Sequence, residues 1–221
     1  GESTRPGADD VPEQEELDRV LPVLEGLRDL TGVPVSVDTS RPTVMRAAVG
    51  AGVAMLNDVR ALQAPGALAA AADLAVPVCL MHMQGQPRTM QSAPGYEDVC
   101  REVAAFLEQR MQACVDAGIP ANYIMLDPGF GFGKSFDHNI ELLANLRELT
   151  RFGRPLLVGL SRKSLLGALT GRKVEDRVAA SVAAAVLAVQ NGADIVRVHD
   201  VAETVDALRV VRAVVEAGTN A

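Results

Sequence analysis

Asp38, Asn57 and Asp127 each lie at the end of a short apolar run, in "VPVSVDTS", "VAMLND" and "YIMLD". A carboxylate accepts two parallel N–H bonds, and an asparagine both donates and accepts. Held at rigid strand ends, such groups suit a flat heterocycle with amide and amino edges. Each also has a plainer use, because Asp and Asn open turns and cap helices. Thr39 or Ser40 can cap in place of Asp38, which frees that carboxylate for a pocket. The Asn57-Asp58 pair has the stronger turn-forming alternative, and Asp127 before Pro128 could open a turn.

The cations point to an anion. In "VRVHD", Arg197 and His199 stand two apart on an extended run and so share a face. Two inward cationic groups on an apolar strand call for an anion, or for Asp200 or another acid to pair with them. In "GLSRKSLLG", Arg162, Lys163 and Ser164 fall where a strand meets a helix. A helix start carries positive partial charge and free N–H groups, so Ser164 there could hold a carboxylate or phosphate. The alternative is a solvent-facing Arg-Lys pair. Arg5, in "GESTRPGADD", is by itself an ordinary loop arginine. His82 reads as a satisfied core or rim histidine, and His138 has no evident partner. The histidines lack metal-ligand spacing, so no protein-built metal site is expected. Ser161 and Ser164 lack a G-x-S-x-G elbow.

The stretch "LDPGFGFGKS" resembles two phosphate-binding patterns without matching either. Gly133, Lys134 and Ser135 fit the end of a P-loop, but its first glycine would fall at Pro128. Gly129-x-Gly131 is followed by Gly133, one residue early for a dinucleotide fingerprint. What remains is a strand ending in a loop where backbone can approach a ring, flanked by Phe130 and Phe132.

These residues need a frame. The chain has 221 residues, 48% of them hydrophobic, which suits one α/β domain spanning 1–221. Near-continuous apolar runs at 33–40, 53–58, 76–83, 123–127, 155–161 and 194–200 read as parallel strands covered on both faces. Between them lie helical periods: Leu17, Val20, Leu21, Leu24 and Leu27; Val99, Val103, Phe106 and Leu107; Val201, Val205, Leu208 and Val215. Segment 178–190 is apolar nearly all round and reads as a well-buried helix. The alternation alone admits a doubly wound sheet or a (β/α)8 barrel. Polar residues at the ends of all the strands favour the barrel, which gathers many strand ends onto one face.

Composition narrows the partners. A net charge of −7 without basic runs argues against nucleic acid and anionic membranes. Three cysteines without C-x-x-C spacing fit a reducing, cytoplasmic setting. No apolar run approaches the ~20 residues of a membrane span.

Together, "GESTRPGA", "SVDTS", "LNDVRAL", "CLMHMQGQPRTMQ", "LDPGFGFGK", "LVGLSRKSLLG" and "IVRVHDV" resemble the dihydropteroate synthases, in that family's order and over essentially the whole chain. The resemblance implies a pterin-binding (β/α)8 barrel. It implies condensation of a dihydropterin hydroxymethyl diphosphate with p-aminobenzoate, releasing pyrophosphate. By the same resemblance Asp38, Asn57, Met81, Asp127 and Lys163 hold the pterin, and Arg197 and His199 the diphosphate. Thr4, Arg5, Pro6, Phe132, Lys163 and Ser164 surround the p-aminobenzoate, and Asp38, Lys163, Arg197 and His199 are the catalytic set. Magnesium is the implied cofactor and a homodimer the implied assembly. The family's barrel also begins with a strand, a helix and a second strand ahead of "GESTRPG", in whose first loop the magnesium-binding Asn is expected. Without them the barrel has two open edges, and the chain alone is expected to be poorly soluble or inactive. A folate-type methyltransferase would share Asp38, Asn57 and Asp127 but has no need of "SRKS" or "RVHD". A non-catalytic pterin-binding remnant is the other alternative.

Overall fold

The computed structural model describes residues 1–219 apart from Pro6 and Asp29. Every expected strand forms, each shorter than its apolar run: β1 (Ser36–Asp38), β2 (Met55–Asp58), β3 (Val78–Met81), β4 (Ile124–Asp127), β5 (Leu157–Val158) and β6 (Ile195–Val196). The helices are α1 (Glu13–Arg28), α2 (Pro42–Gly50), α3 (Ala67–Leu74), α4 (Val99–Asp116), α5 (Phe136–Ala144), α6 (Ser164–Thr170), α7 (Val178–Gln190) and α8 (Val201–Thr219). Local chemistry sets several of their starts. Asp98 caps α4 by accepting from Arg101 N at 2.9 Å. Ser135 and His138 form a reciprocal capping box on α5, which gives His138 the partner its sequence context did not reveal.

All pairings are parallel, and β1 to β4 follow one another in sequence order. β5 pairs with β6, and Leu126 N donates to Pro155 O at 2.9 Å, joining β4 to the start of β5. A doubly wound sheet reverses its order at a switch point; this one does not. Curvature follows from one side chain. Arg197, just after β6, donates to Asn57 on β2 at 3.4 Å and to Asp127 on β4 at 3.1 Å. In a flat sheet, four spacings of ~4.8 Å would hold β2 and β6 about 19 Å apart, beyond an arginine's reach. The strands therefore curl as a barrel wall. Among the described residues β1 and β6 do not pair with each other. Ser36 and Asp38 alternate with buried Val37 and are exposed on the inner face.

Helices cover the outer face. Met45, Leu56, Leu80, Leu107, Ile124 and Leu142 are fully buried there, each contributing about 1.5–3 kcal/mol. The expectation for 178–190 needs correction. α7 buries Ser181, Ala184, Ala185 and Ala188, but Leu187 is 50% exposed. The helix packs on β6, α6 and α8 and leaves Leu187 open to water. On α8, Val201 and Val205 are likewise exposed despite their helical spacing.

Candidate active site

Strand geometry brings four predicted residues together. Asp38 and Asn57 are register partners on β1 and β2, and Asn57 Nδ2 donates to Asp38 Oδ2 at 2.7 Å. Arg197 bridges Asn57 and Asp127, so Asp38, Asn57, Asp127 and Arg197 form one connected cluster. Met81 is fully buried at the same ladder step as Asp127. Side chains on a strand alternate between faces, so Asn57 and Asp58 cannot both point inward. Asp58 turns away and forms the loop: it accepts from Ser40 Oγ, and from Arg60 N and Leu62 N at 2.8 Å each. Thr39 Oγ1 accepts from Arg41 N at 3.3 Å in the turn ahead of α2, whose N-cap, Arg41, has no side-chain cap bond, so neither Asp38 nor Thr39 caps that helix. Asp127 does both jobs. One oxygen accepts from Gly129 N at 2.8 Å to open the turn, and the other faces Arg197.

Electrostatics follow from this crowding. Burial pushes the Asp38 carboxyl up to about 6; Arg197 opposes, and Asp58 and Asp127 add to the rise. Water reaches Asp38 from the open mouth, while protein surrounds it on its other sides. Burial works against the charge of Arg197, but Asp127 and Asp38 outweigh it and raise its pKa. Burial brings Lys163 down to about 8, with Asp127 opposing and Arg197 assisting.

The loop 128–134 forms the next wall. Lys163 precedes α6, donates to Phe130 O and lies over the Phe132 ring, 4.8 Å from its centroid. Lys163 and Ser164 line a cavity of about 190 Å3 with Gln91, Gly131, Phe136 and Ala168. The glycines answer to space: a Cβ on Gly129 would collide with the His82 carbonyl, and one on Gly133 with the Gln84 carbonyl. Lys134, His82, Gln91, Tyr96 and Asn139 all bond this loop. Sequence reasoning placed Lys134 in this stretch but gave none of the five a role in holding it. The lysine that closes the glycine run was the available signal.

The remaining predicted residues lie elsewhere around the rim. His199 turns to Ser161, whose Oγ lies 3.0 Å from its Nδ1 and 3.1 Å from its backbone N. Arg197 pairs with Asp127 rather than Asp200, and Asp200 instead holds Arg162 through both carboxylate oxygens. Arg162 is thus no solvent-facing spectator; its backbone is left-handed, with φ of 57°. Thr4 borders a small crevice beside Asp38 and Ser40, and Arg5 is exposed. Gly7 N, bonded to Pro87 O at 3.2 Å, ties that segment down. Pro6 lies outside the described residues.

Known proteins carry the same frame. Residues 1–199 match the family model described as pterin binding enzyme. The dihydropteroate synthase of Haemophilus influenzae is 54% identical over 217 residues, 98% of this chain and 79% of that protein. The chain belongs to the dihydropteroate synthases. In this family, a solved Yersinia pestis structure with a sulfonamide drug complex superimposes with a TM-score of 0.96 at 54% identity. It covers 98% of this chain and 78% of that one. A Xanthomonas albilineans dihydropteroate synthase solved in complex with 7,8-dihydropteroate gives 0.88 at 56% identity, over 94% and 77% of the two chains. The fold is therefore of the (β/α)8 type, and the chain is a transferase.

Proposed function

We propose that this chain condenses 6-hydroxymethyl-7,8-dihydropterin diphosphate with p-aminobenzoate, giving 7,8-dihydropteroate and pyrophosphate. The observation that carries the reading is the Asp38–Asn57–Arg197–Asp127 cluster, built from three strands and the segment after a fourth. It offers a heterocycle acceptors and donors in one plane-sized opening. The product-bound relative supports both substrates at once.

In this reading Asp38, Asn57 and Asp127 take the polar edges of the pterin, with Met81 below and Lys163 beside it. Departure of the diphosphate leaves positive charge on the pterin methylene. The carboxylates, Asp38 above all, stabilise that charge, and Arg197 with His199 receives the departing phosphates. Arg197 must then exchange Asp127 for phosphate, and the long flexible side chain permits it. The arylamine attacks from the side of Phe132, Lys163 and Ser164, with Thr4, Arg5 and Pro6 supplied by the opening segment. It is neutral near pH 7 and needs no strong base.

Magnesium would sit on diphosphate oxygens and water. The described residues do not build a cage for it at the pocket. The acidic and sulfur ligands close enough to share an ion are Asp98, Cys100 and Glu141, which include no pocket residue. No step is routed through a metal. The homodimer reading is supported by exposed Leu187, Val201, Val205, Val210 and Val214 on α7 and α8; light scattering of the chain tests it. Among the described residues no helix is long and apolar enough to cross a membrane. The deciding assay is pyrophosphate release. Release that requires both substrates supports the synthase. Release without p-aminobenzoate would mean hydrolysis, and pterin binding without turnover would mean a binding remnant.

A further inference from the structure

Lys134 and His82 have no part in the reaction above, yet they form an enclosed polar pair against its second-substrate wall. Lys134 is 2% exposed and His82 5%. Lys134 Nζ donates to His82 Nδ1 at 2.9 Å, to Gly129 O at 2.9 Å and to Phe132 O at 3.2 Å. Burial brings Lys134 down to about 7, with Asp127 opposing and Lys163 assisting; in its ammonium form it carries three protons, and each has an acceptor here, which is what burial of the charge requires. Burial, and then the Lys134 charge, bring His82 down to about 2. Its imidazole is therefore neutral, with the Nδ1 lone pair free to accept. The ring is fixed edge-on to Phe106, with centroids 4.9 Å apart.

The loop between these contacts has Gly129, Gly131 and Gly133 at φ of 69°, 77° and 61°. Side chains take the carbonyls of this loop. Lys134 takes Gly129 and Phe132, Lys163 takes Phe130, Gln91 takes Gly131 at 2.6 Å, and Tyr96 takes Gly133 at 2.8 Å. Two lysines thus hold the same short loop. Both border the same cavity, Lys163 half-buried and Lys134 buried.

We propose that Lys134, oriented by His82, is a positioning residue: it holds the Gly129–Gly133 loop so that Lys163 can exchange the Phe130 carbonyl for substrate while Phe132 stays in place. The inference rests on the synthase reading, because it concerns the wall assigned to p-aminobenzoate. The pterin side has further anchors away from this loop, Asp38 and Asn57 on β1 and β2, joined at 2.7 Å. A failed clamp should therefore weigh more on p-aminobenzoate than on the pterin diphosphate.

The test combines pyrophosphate-release kinetics with amide hydrogen exchange on the parent chain, Lys134→Met, His82→Leu and His82→Asn. Methionine keeps the length of Lys134 and loses its donors. Asparagine keeps an acceptor near the place of Nδ1, and leucine does not. In Lys134→Met and His82→Leu, KM for p-aminobenzoate should rise about ten- to a hundredfold, as for a misplacement of about 1 Å, with a rise for the pterin diphosphate about tenfold smaller, because Asp38 and Asn57 stay in place. Exchange should quicken at 129–134 alone, and His82→Asn should stay near the parent in both readouts. Should Lys134→Met fail to fold, the leucine–asparagine contrast at His82 decides. Equal loss for both substrates, faster exchange throughout the chain, or unchanged kinetics would overturn the proposal while leaving the synthase reading intact. A parent that releases no pyrophosphate would instead end that reading. Exchange at 129–134 would then decide the clamp alone, and unchanged exchange in Lys134→Met would overturn it.

Discussion

Replacing Asp38 with asparagine separates the stability of this pocket from its use. Asparagine keeps the shape and an acceptor for Asn57 Nδ2, which lies 2.7 Å from the carboxylate. It removes only the charge. Burial, the largest cause, raises the Asp38 carboxyl from 3.8 to about 6, so above that pH folding works against an ionised group. At full strength this displacement corresponds to about 3 kcal/mol. Asp38 opens onto water at the pocket mouth, and solvent screening reduces the figure to ~1 kcal/mol. The folded carboxyl keeps its proton up to about 6, whereas the unfolded one releases it near 3.8. The parent chain therefore loses stability as pH rises through that window, and the variant does not. At neutral pH Asp38→Asn should melt about 2–4 °C higher, a gain that shrinks as pH falls toward the lower value. Pyrophosphate release should meanwhile drop about 100- to 1,000-fold, the usual effect of losing one preorganised electrostatic partner. Thermal unfolding over a pH series, beside the release assay, reads both. A variant less stable than the parent at neutral pH would refute the burial argument. Activity retained within about tenfold would refute the role given to the charge.

Other perturbations probe neighbouring parts of the site. A Cβ at Gly159 would lie 3.1 Å from Arg197 Nη2 and 3.3 Å from Nε. Gly159→Ala should cost about 1 kcal/mol or less in stability yet lower kcat/KM for the pterin diphosphate about tenfold by displacing the guanidinium; unchanged kinetics would mean that Arg197 works from another place. The pH profile of kcat/KM should show an acid limb near 6 from Asp38 and an alkaline limb near 8 from Lys163. Lys163→Arg, which stays charged, should lose the alkaline limb; a profile flat through both values would exclude these assignments. Phe132→Ala removes the ring beneath the Lys163 ammonium, 4.8 Å away. KM for p-aminobenzoate should rise about two- to thirtyfold, matching a cation–π contact of ~0.5–2 kcal/mol, and an unaffected KM would place the second substrate elsewhere.

Particular residues show how far the chain could be read before its fold was known. The strands were legible because each buried run is continuously apolar and ends in a polar group. The dual use of "ND" was also within reach: a period of two forces Asn57 and Asp58 to opposite faces. The exposure of Leu187 was not, since apolar composition says how a helix would bury itself and not what is there to cover it. Arg197 had Asp194 and Asp200 close by in sequence and Arg162 had no acid nearer than Glu175, so which acid takes which arginine follows from where the strand ends meet. His82 was read as a satisfied histidine, yet its partner, Lys134, is 52 residues away and showed only in the fold.

By itself, the sequence determined which residues stand at strand ends and which chemistry they bring, because hydrophobic alternation and turn chemistry act over a few residues. The tertiary structure alone decided the pairings. Arg197 meets Asp127 across 70 residues and Asn57 across 140, because the sheet curls and brings those strand ends to one mouth. Curvature is a property of the whole wall, so no local pattern of residues encodes which distant oxygen an inward cation will find.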